Sequence, residues 1–398
     1  MTAYPDVFIV GAARTPIGKF LGGLSSLKAS DLGAIAIKEA LVRAGVSGAD
    51  VEEVLMGHVV QGGQGQAPAR QAQIKAGINP VSGAVTINKV CGSGLKAVML
   101  GAQAIKAGDA HVLVAGGQES MSTAPHYDFA ARTGTKLGDV TLRDGAVFDG
   151  LWCSFNNCHM IELAQYTAEK AGLTRAEIDA FSVGSHAKAA AAWAEGRFAK
   201  EVVSVSIPQR KGDPLIVAKD ESIRADTTLE TLAKLSAVTR DKGGMITAGN
   251  APGLNDGGAA LVLMSGERVK QTGAKPLARV VAYATGGGEP KDLFFAPIDA
   301  VQRLMAKMSV AINHFDLIEA NEAFAAQAVA DGKGLGWDWD RVNVNGGAVA
   351  LGHPIGASGA RVLVTLIYAL EQRKLKTGLA TLCLGGGNAV ALAVERSS

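Results

Sequence analysis

Val85-Thr86-Ile87-Asn88-Lys89-Val90-Cys91-Gly92-Ser93-Gly94 runs a β-branched segment into a glycine-flanked cysteine and the start of a helix. The same order returns late in the chain. Val342-Asn343-Val344-Asn345 echoes the strand, and Ser358-Gly359-Ala360-Arg361-Val362-Leu363 echoes the helix opening Ser93-Gly94-Leu95-Lys96-Ala97-Val98. Such self-similarity signals a duplicated unit. Working outward, Val7–Thr15 matches Val280–Gly286, and strands at His111–Ala115 and Leu379–Leu384 each end in a glycine pair. The two helices are predicted to close at Gly108 and Gly378, and Gly258–Leu263 and Asn388–Ala393 form the last matched strands.

Strand and helix alternate through both copies, so the predicted class is α/β. Apolar runs without strict alternation predict buried, mainly parallel strands. Residues 118–245 have no counterpart in the second copy. The expected organisation is a first half over 1–117, an inserted loop domain over 118–245, a return to the first half over 246–270 and a second half over 271–398. The insert reads as loop-rich to near residue 150, helical over Ile161–Lys170 and Arg175–Gly196, and extended over Val202–Ile207. An insert at the strand ends of an open sheet predicts a lid over a substrate site.

Composition narrows the class. The chain has 398 residues, 48% of them hydrophobic, with 50 glycines and a net charge of +2, which gives no argument for nucleic acid. No apolar run reaches the length of a membrane span. Val7-Phe8-Ile9-Val10 enters a strand at once, from which no signal or transit peptide is expected. Four cysteines without CxxC spacing suit a reducing compartment, and a cytoplasmic enzyme is expected.

The chemistry-bearing residues lie on the repeat. Cys91 opens a helix, where the N-terminal dipole should lower its pKa and backbone N–H groups could meet an oxyanion, its glycines allowing a sharp turn and close approach of substrate. A small buried hydrophobe is the alternative reading. His353, in the glycine-rich loop Gly346–Gly359, can take a thiol proton or donate to a thioester oxygen; otherwise it caps a helix. Cys383 ends a buried strand and gains meaning only beside Cys91. In Glu319-Ala320-Asn321-Glu322-Ala323-Phe324, Asn321 could hold a water or a carbonyl with Glu322 fixing it, or merely cap a helix. Cys153, Cys158 and His159 invite a zinc reading, but adjacent Cys158 and His159 make awkward joint ligands and a fourth is missing, so no metal is expected. Gly286-Gly287-Gly288 lacks a complete dinucleotide fingerprint.

Cys91-Gly92-Ser93, Asn321-Glu322-Ala323-Phe324, Gly352-His353-Pro354 and Cys383-Leu384-Gly385, in this order over nearly the whole chain, resemble the four motifs of the thiolase family, biosynthetic type. The resemblance implies two similar αβαβα halves stacked together, with a loop domain inserted in the first. It implies that Cys91 is acylated, that His353 activates it, and that Cys383 moves the α-proton. His353 and a water on Asn321 would form one oxyanion hole, and the N–H groups of Cys91 and Gly385 the other. The implied reaction is reversible condensation of two acetyl-CoA to acetoacetyl-CoA and CoA, with thiolysis of longer 3-oxoacyl-CoA as the alternative. Coenzyme A thioesters are then substrates, and no separate cofactor is implied.

For coenzyme A, the resemblance points to Arg224 and Thr231 near the adenine and pantetheine. Leu151, His159, Met160, Ala248, Leu254 and Phe324 would line the path to the acyl end. The chain departs from the family at Pro252, where serine is usual, and at Asp292-Leu293-Phe294-Phe295-Ala296-Pro297, where a Met-Gly-x-Gly-Pro run is typical. The segment Gly117–Leu151 resembles the loop that joins dimers into a homotetramer. Two rivals fit less well. A ketoacyl synthase would replace the second cysteine, and an inactive lipid carrier would not keep Cys91, Asn321, His353 and Cys383.

Overall fold

A computed structural model describes residues 5–241 and 243–397. The first half contains β1 (Val7–Arg14), β2 (Gly18–Lys19), α1 (Ala29–Ala44), β3 (Glu53–Gly57), α2 (Pro68–Lys75), β4 (Gly83–Ile87), α3 (Ser93–Ala107) and β5 (Val112–Ser120). Between β5 and the strand that pairs with it come β6 (His126–Tyr127), β7 (Arg143–Asp144), β8 (Trp152–Cys153), β9 (Cys158–His159), α4 (Met160–Lys170) and α5 (Arg175–Ala194). This segment continues through β10 (Val205–Ile207), β11 (Leu215–Val217) and α6 (Leu229–Ala233). The first half is completed by β12 (Asn255–Ser265) and α7 (Gly266–Thr272). The second half contains β13 (Ala278–Gly287), α8 (Ala296–Met308), β14 (Leu317–Ala320), α9 (Ala325–Leu335), α10 (Ala348–Leu351), α11 (Ile355–Arg373), β15 (Thr377–Leu384) and β16 (Asn388–Arg396).

One sheet runs β14-β15-β16-β13-β1-β12-β5-β3-β4, and reading outward from the β13–β1 join gives the two repeats in matching order. The join itself is short, Phe8 opposite Arg279 and Ile9 opposite Ala278. Each repeat also carries a bulge at the same place, between Ile9 and Gly11 in β1 and between Val280 and Ala282 in β13. Helices α1 and α2 cover the outer face of the first half and α8 that of the second, while α3 and α11 lie between the halves. Leu95, Val98 and Ile105 of α3 share a core with Leu363, Ile367 and Leu370 of α11. Helix α11 is buried from Ile355 to Leu370, all but its last turn, as expected of a helix apolar on nearly every side.

The central helices cross at their N-termini with their backbones in contact. A Cβ on Gly94 would lie 2.6 Å from the Ala360 nitrogen, and one on Gly359 would lie 2.3 Å from the Leu95 nitrogen. The repeated Ser-Gly pair is therefore a packing requirement. It brings the loop before α3, which holds Cys91, against the loop before α11, which holds His353.

Four expectations are corrected. The sheet is mixed rather than mainly parallel: β3–β4, β3–β5 and β14–β15 are parallel, but β12 and β16 return antiparallel to both neighbours. Apolar runs report burial on both faces, which a mixed sheet between helix layers satisfies equally well. Strand β5 does not stop at its glycine pair but runs through Gly116 and Gly117 to Ser120. Helix α11 ends not at Gly378 but at Arg373, with Lys374 as its left-handed cap at φ 57°. The second copy of the β4 strand shrinks to one bridge between Ile318 and Val342. Asn343 is left-handed there at φ 45°, and its amide bonds both backbone groups of Ala320, at 2.8 Å each, in place of a ladder.

Candidate active site

Cys91 is delivered by a strained turn. The glycines flanking it take ordinary conformations, and Val90 alone in this turn is left-handed, at φ 46°. A β-branched residue is a genuine outlier there. Ser93 holds the turn: its hydroxyl donates to the Val90 carbonyl at 2.6 Å and accepts from the Lys89 N–H at 2.8 Å. Gly92 stays small because a Cβ would sit 2.1 Å from Leu384 of the opposite half. The second repeat therefore packs directly on this turn.

Burial works against the expected depression of the Cys91 pKa. Burial pushes the thiol up to about 12, with the Glu119 carboxylate adding to the rise. Hydrogen bonding from the backbone N–H groups of Cys91 itself and of Gly385 opposes the shift without cancelling it.

His353 is held on two sides. Its backbone N–H donates to Asn255 Oδ1 at 2.8 Å and its Nδ1 lies 2.6 Å from Ser358 Oγ, which in turn lies 2.9 Å from the Pro354 carbonyl. Burial, then the Arg361 guanidinium, lower its pKa to about 3, so the ring is neutral. Nε2 has no partner among the described residues. Glu119, wholly buried, accepts from Gly356 at 2.8 Å and from Val59 and Val60 at 3.1 Å each, pinning the loop after His353.

Cys91, His353, Cys383 and Gly385 line one cavity of about 340 Å³. Cys383 is buried, and that burial, with Cys91 and Asp331 as neighbours, keeps its thiol well above the ordinary value. Asn321 stands just outside the lining. It is fully buried, its N–H donates to Thr381 at 3.0 Å, and neither amide atom has a partner among the described residues. It is no helix cap, because α9 starts at Ala325 with Phe324 as its N-cap. Nor does Glu322 fix it. The Glu322 carboxylate accepts from Asn343 and Ser185 at 2.8 Å each and from the Val349 N–H at 3.0 Å, tying the loop before α10 to the insert.

The insert forms one wall of this cavity. Leu151, His159, Met160, Leu254 and Phe324 line it, together with Pro252. Leu293 and Phe294 close another side, both buried, and Phe294 meets Phe324 edge to face at 5.3 Å. Arg224, Thr231 and Ala248 lie outside it and are exposed. Arg224 reaches the Ala248 carbonyl at 3.4 Å, while the Thr231 hydroxyl is engaged in the capping box of α6. Among the described residues no three His, Cys, Asp or Glu converge as metal ligands. Cys153 and Cys158 oppose each other across β8–β9, and His159 falls on the other face of its strand.

Sequence alone gives Ser358 only as a helix opener and gives neither Glu119 nor Val90 a role. The parallel between Ser93 and Ser358 in the repeat was the available signal for the first. For Glu119 the sequence holds none, since its partners are backbone groups far away in the chain.

The thiolase N-terminal domain model matches residues 7–267 and the thiolase C-terminal domain model residues 274–396. A protein of Cupriavidus necator named acetyl-CoA acetyltransferase is 53% identical over 391 residues, covering 98% of this chain and 99% of its own. One of the same name from Pseudomonas aeruginosa is also 53% identical over 391 residues, with the same coverage. The solved structure of the Bacillus anthracis acetyl-CoA acetyltransferase superposes with a TM-score of 0.97 at 41% identity, covering all of both chains.

Proposed function

The chain belongs to the thiolase family, and from that premise we propose that it condenses two acetyl-CoA to acetoacetyl-CoA and CoA, reversibly, through an acetyl group on Cys91. The observation that carries the reading is the single cavity shared by Cys91, His353, Cys383 and Gly385.

In the first half-reaction the Cys91 sulfur attacks the acetyl-CoA carbonyl and His353 Nε2 takes the thiol proton. The departing coenzyme A sulfur receives that proton, which a ring with a pKa of about 3 gives up readily. The N–H groups of Cys91 and Gly385, which favour negative charge on the sulfur, would meet the acyl oxygen as it becomes anionic; one such donor is worth roughly 100-fold or more in rate.

In the second half-reaction Cys383 takes the α-proton of the next acetyl-CoA as its own thiol proton passes to the Cys91 sulfur, which leaves as the α-carbon bonds the acetyl carbon. One proton is thus relayed through Cys383 to Cys91, and the step releases none. Burial makes Cys383 costly to ionise and a correspondingly strong base once ionised. Asn321, buried with its amide unpartnered among the described residues, suits the water of the second oxyanion hole, which His353 joins as a donor only when its Nε2 is protonated.

Arg224, exposed beside Ala248, is a cation for the phosphates, and Pro252, Leu254, Leu151, His159, Met160 and Phe324 flank the pantetheine and acyl group. Coenzyme A thioesters are substrates, and the proposed steps draw on no further cofactor. Leu293 and Phe294, buried and lining the cavity, would limit the room at the acyl end, which favours the acetoacetyl reading over longer chains. Incubation with acetoacetyl-CoA and CoA, followed at the thioester-enolate absorbance, tests the activity. A thiolysis profile that peaks above four acyl carbons would replace it with the longer-chain reading.

No helix among the described residues is long and apolar enough to cross a membrane. A cytoplasmic site is part of the proposal, as is a homotetramer built on the loop after β5. Gln118, Glu119 and Ser120, expected in that loop, are buried in β5 instead. Beyond them, Phe129 is 60% exposed and Leu137 96% exposed, and the Arg143 guanidinium lies over the Phe129 and Phe148 rings. Light scattering showing a stable monomer at micromolar concentration would refute the assembly.

A further inference from the structure

Cys153 and Cys158 take no part in the acyl chemistry, yet they stand directly opposite each other in the β8–β9 hairpin. Opposed residues of an antiparallel pair have Cα atoms about 4.5 to 5.5 Å apart. A disulfide accepts about 4.4 to 6.8 Å between Cα atoms and needs Cβ atoms only slightly closer than such a pair holds them. Both thiols are free, Cys153 being buried and Cys158 partly exposed. The Asn156 amide donates to the Cys153 sulfur at 3.2 Å.

We propose that Cys153 and Cys158 are a dithiol modification site that closes to an intramolecular disulfide when it meets a low-molecular-weight disulfide RSSR. Cys158, the accessible thiol, attacks one sulfur of RSSR as its thiolate, forming the mixed disulfide and releasing RS⁻, which takes the Cys158 proton. Cys153 then attacks the Cys158 sulfur, releasing the second RS⁻, which takes the Cys153 proton. Two protein thiols and one RSSR become one protein disulfide and two RSH. Burial, the Cys153 sulfur and the Glu162 carboxylate hold Cys158 above the ordinary thiol value, so mildly alkaline buffer is the right medium. The site bears on the cavity because Leu151, His159, Met160 and Ile161, on either side of the hairpin, line it. The proposal does not depend on which thioester the cavity takes.

The test is peptide mapping of the full chain after treatment with oxidised glutathione. No Lys or Arg lies between Arg143 and Lys170, so both cysteines fall in the tryptic peptide 144–170, apart from Cys91 and Cys383. The expected product is that peptide lighter by two hydrogens and closed to alkylation until reduced. Cys153→Ser should instead trap a glutathione adduct on Cys158, and Cys158→Ser should give no adduct on Cys153. Full alkylation of both cysteines after oxidation, a persistent glutathione adduct on wild-type Cys158, or a disulfide found only between Cys91 and Cys383 would each overturn the proposal. The wild-type map decides even if a variant folds poorly.

Discussion

Ser358 Oγ lies 2.6 Å from His353 Nδ1 and 2.9 Å from the carbonyl of Pro354, and this fixes the histidine's tautomer. The carbonyl can only accept, and serine has one hydrogen to give. Both contacts are hydrogen bonds only if Ser358 donates to Pro354 and Nδ1–H donates to Ser358. The lone pair is thereby left on Nε2, the atom without a partner among the described residues. Ser93 does the corresponding work in the first repeat, clamping Lys89 and Val90. One duplicated serine therefore braces the nucleophile in one half and orients the base in the other.

Ser358→Ala should lower the rate of Cys91 acetylation by about 10- to 100-fold, the usual cost of losing an orienting partner. Coenzyme A affinity should change little, and Ser358→Thr should recover part of the rate. Single-turnover acetylation and calorimetric binding on the same proteins separate the two effects. An unchanged acetylation rate would mean that the Ser358 hydroxyl serves only to close the first turn of α11.

Burial sets His353 at about 3 and Cys91 at about 12, so the free protein holds a neutral pair at every ordinary pH, not a thiolate beside an imidazolium. Alkylation of Cys91 by iodoacetamide should therefore climb steadily from pH 7 to pH 10, following the thiolate fraction. Rate measurements across that range decide the matter. A plateau reached below pH 8 would show a preformed ion pair and overturn the neutral pair.

Much of this was legible in the sequence because the repeat is written in residues with a local meaning. Ser93-Gly94 and Ser358-Gly359 mark two helix starts, and the paired glycines between the helices are what let them cross. Strand direction was not legible, since Val280–Val394 packs equally well either way once both faces are covered. The left-handed Val90 was hidden for a different reason: a β-branched residue disfavours that conformation, and it is held by the Ser93 clamp together with Asn88, whose Oδ1 accepts from the Val90 N–H at 3.0 Å. Glu119, whose partners lie at Val59, Val60 and Gly356, belongs to the same class of long-range arrangements.

Phe294→Gly should open the acyl end of the cavity. The Phe294 ring is buried against Phe324 at 5.3 Å, and its removal leaves a space that longer acyl chains can fill. The expected outcome is a gain in kcat/KM for a six-carbon 3-oxoacyl-CoA relative to acetoacetyl-CoA, with stability lowered by roughly 3–5 kcal/mol, as for a buried Phe truncated to Ala. Paired thiolysis assays and denaturant titration read both. An unaltered chain-length profile would remove Phe294 from the acyl site.

Cys91 carries the acetyl group, while Cys383 serves only the second half-reaction. Peptide mass mapping after brief exposure to acetyl-CoA, on the wild-type chain and on Cys383→Ser, decides this. Acetyl is expected on Cys91 in both proteins, with exchange of the acetyl-CoA α-proton lost in the variant. Acetyl found on Cys383, Cys153 or Cys158, or equal loss of acetylation and exchange in Cys383→Ser, would contradict it.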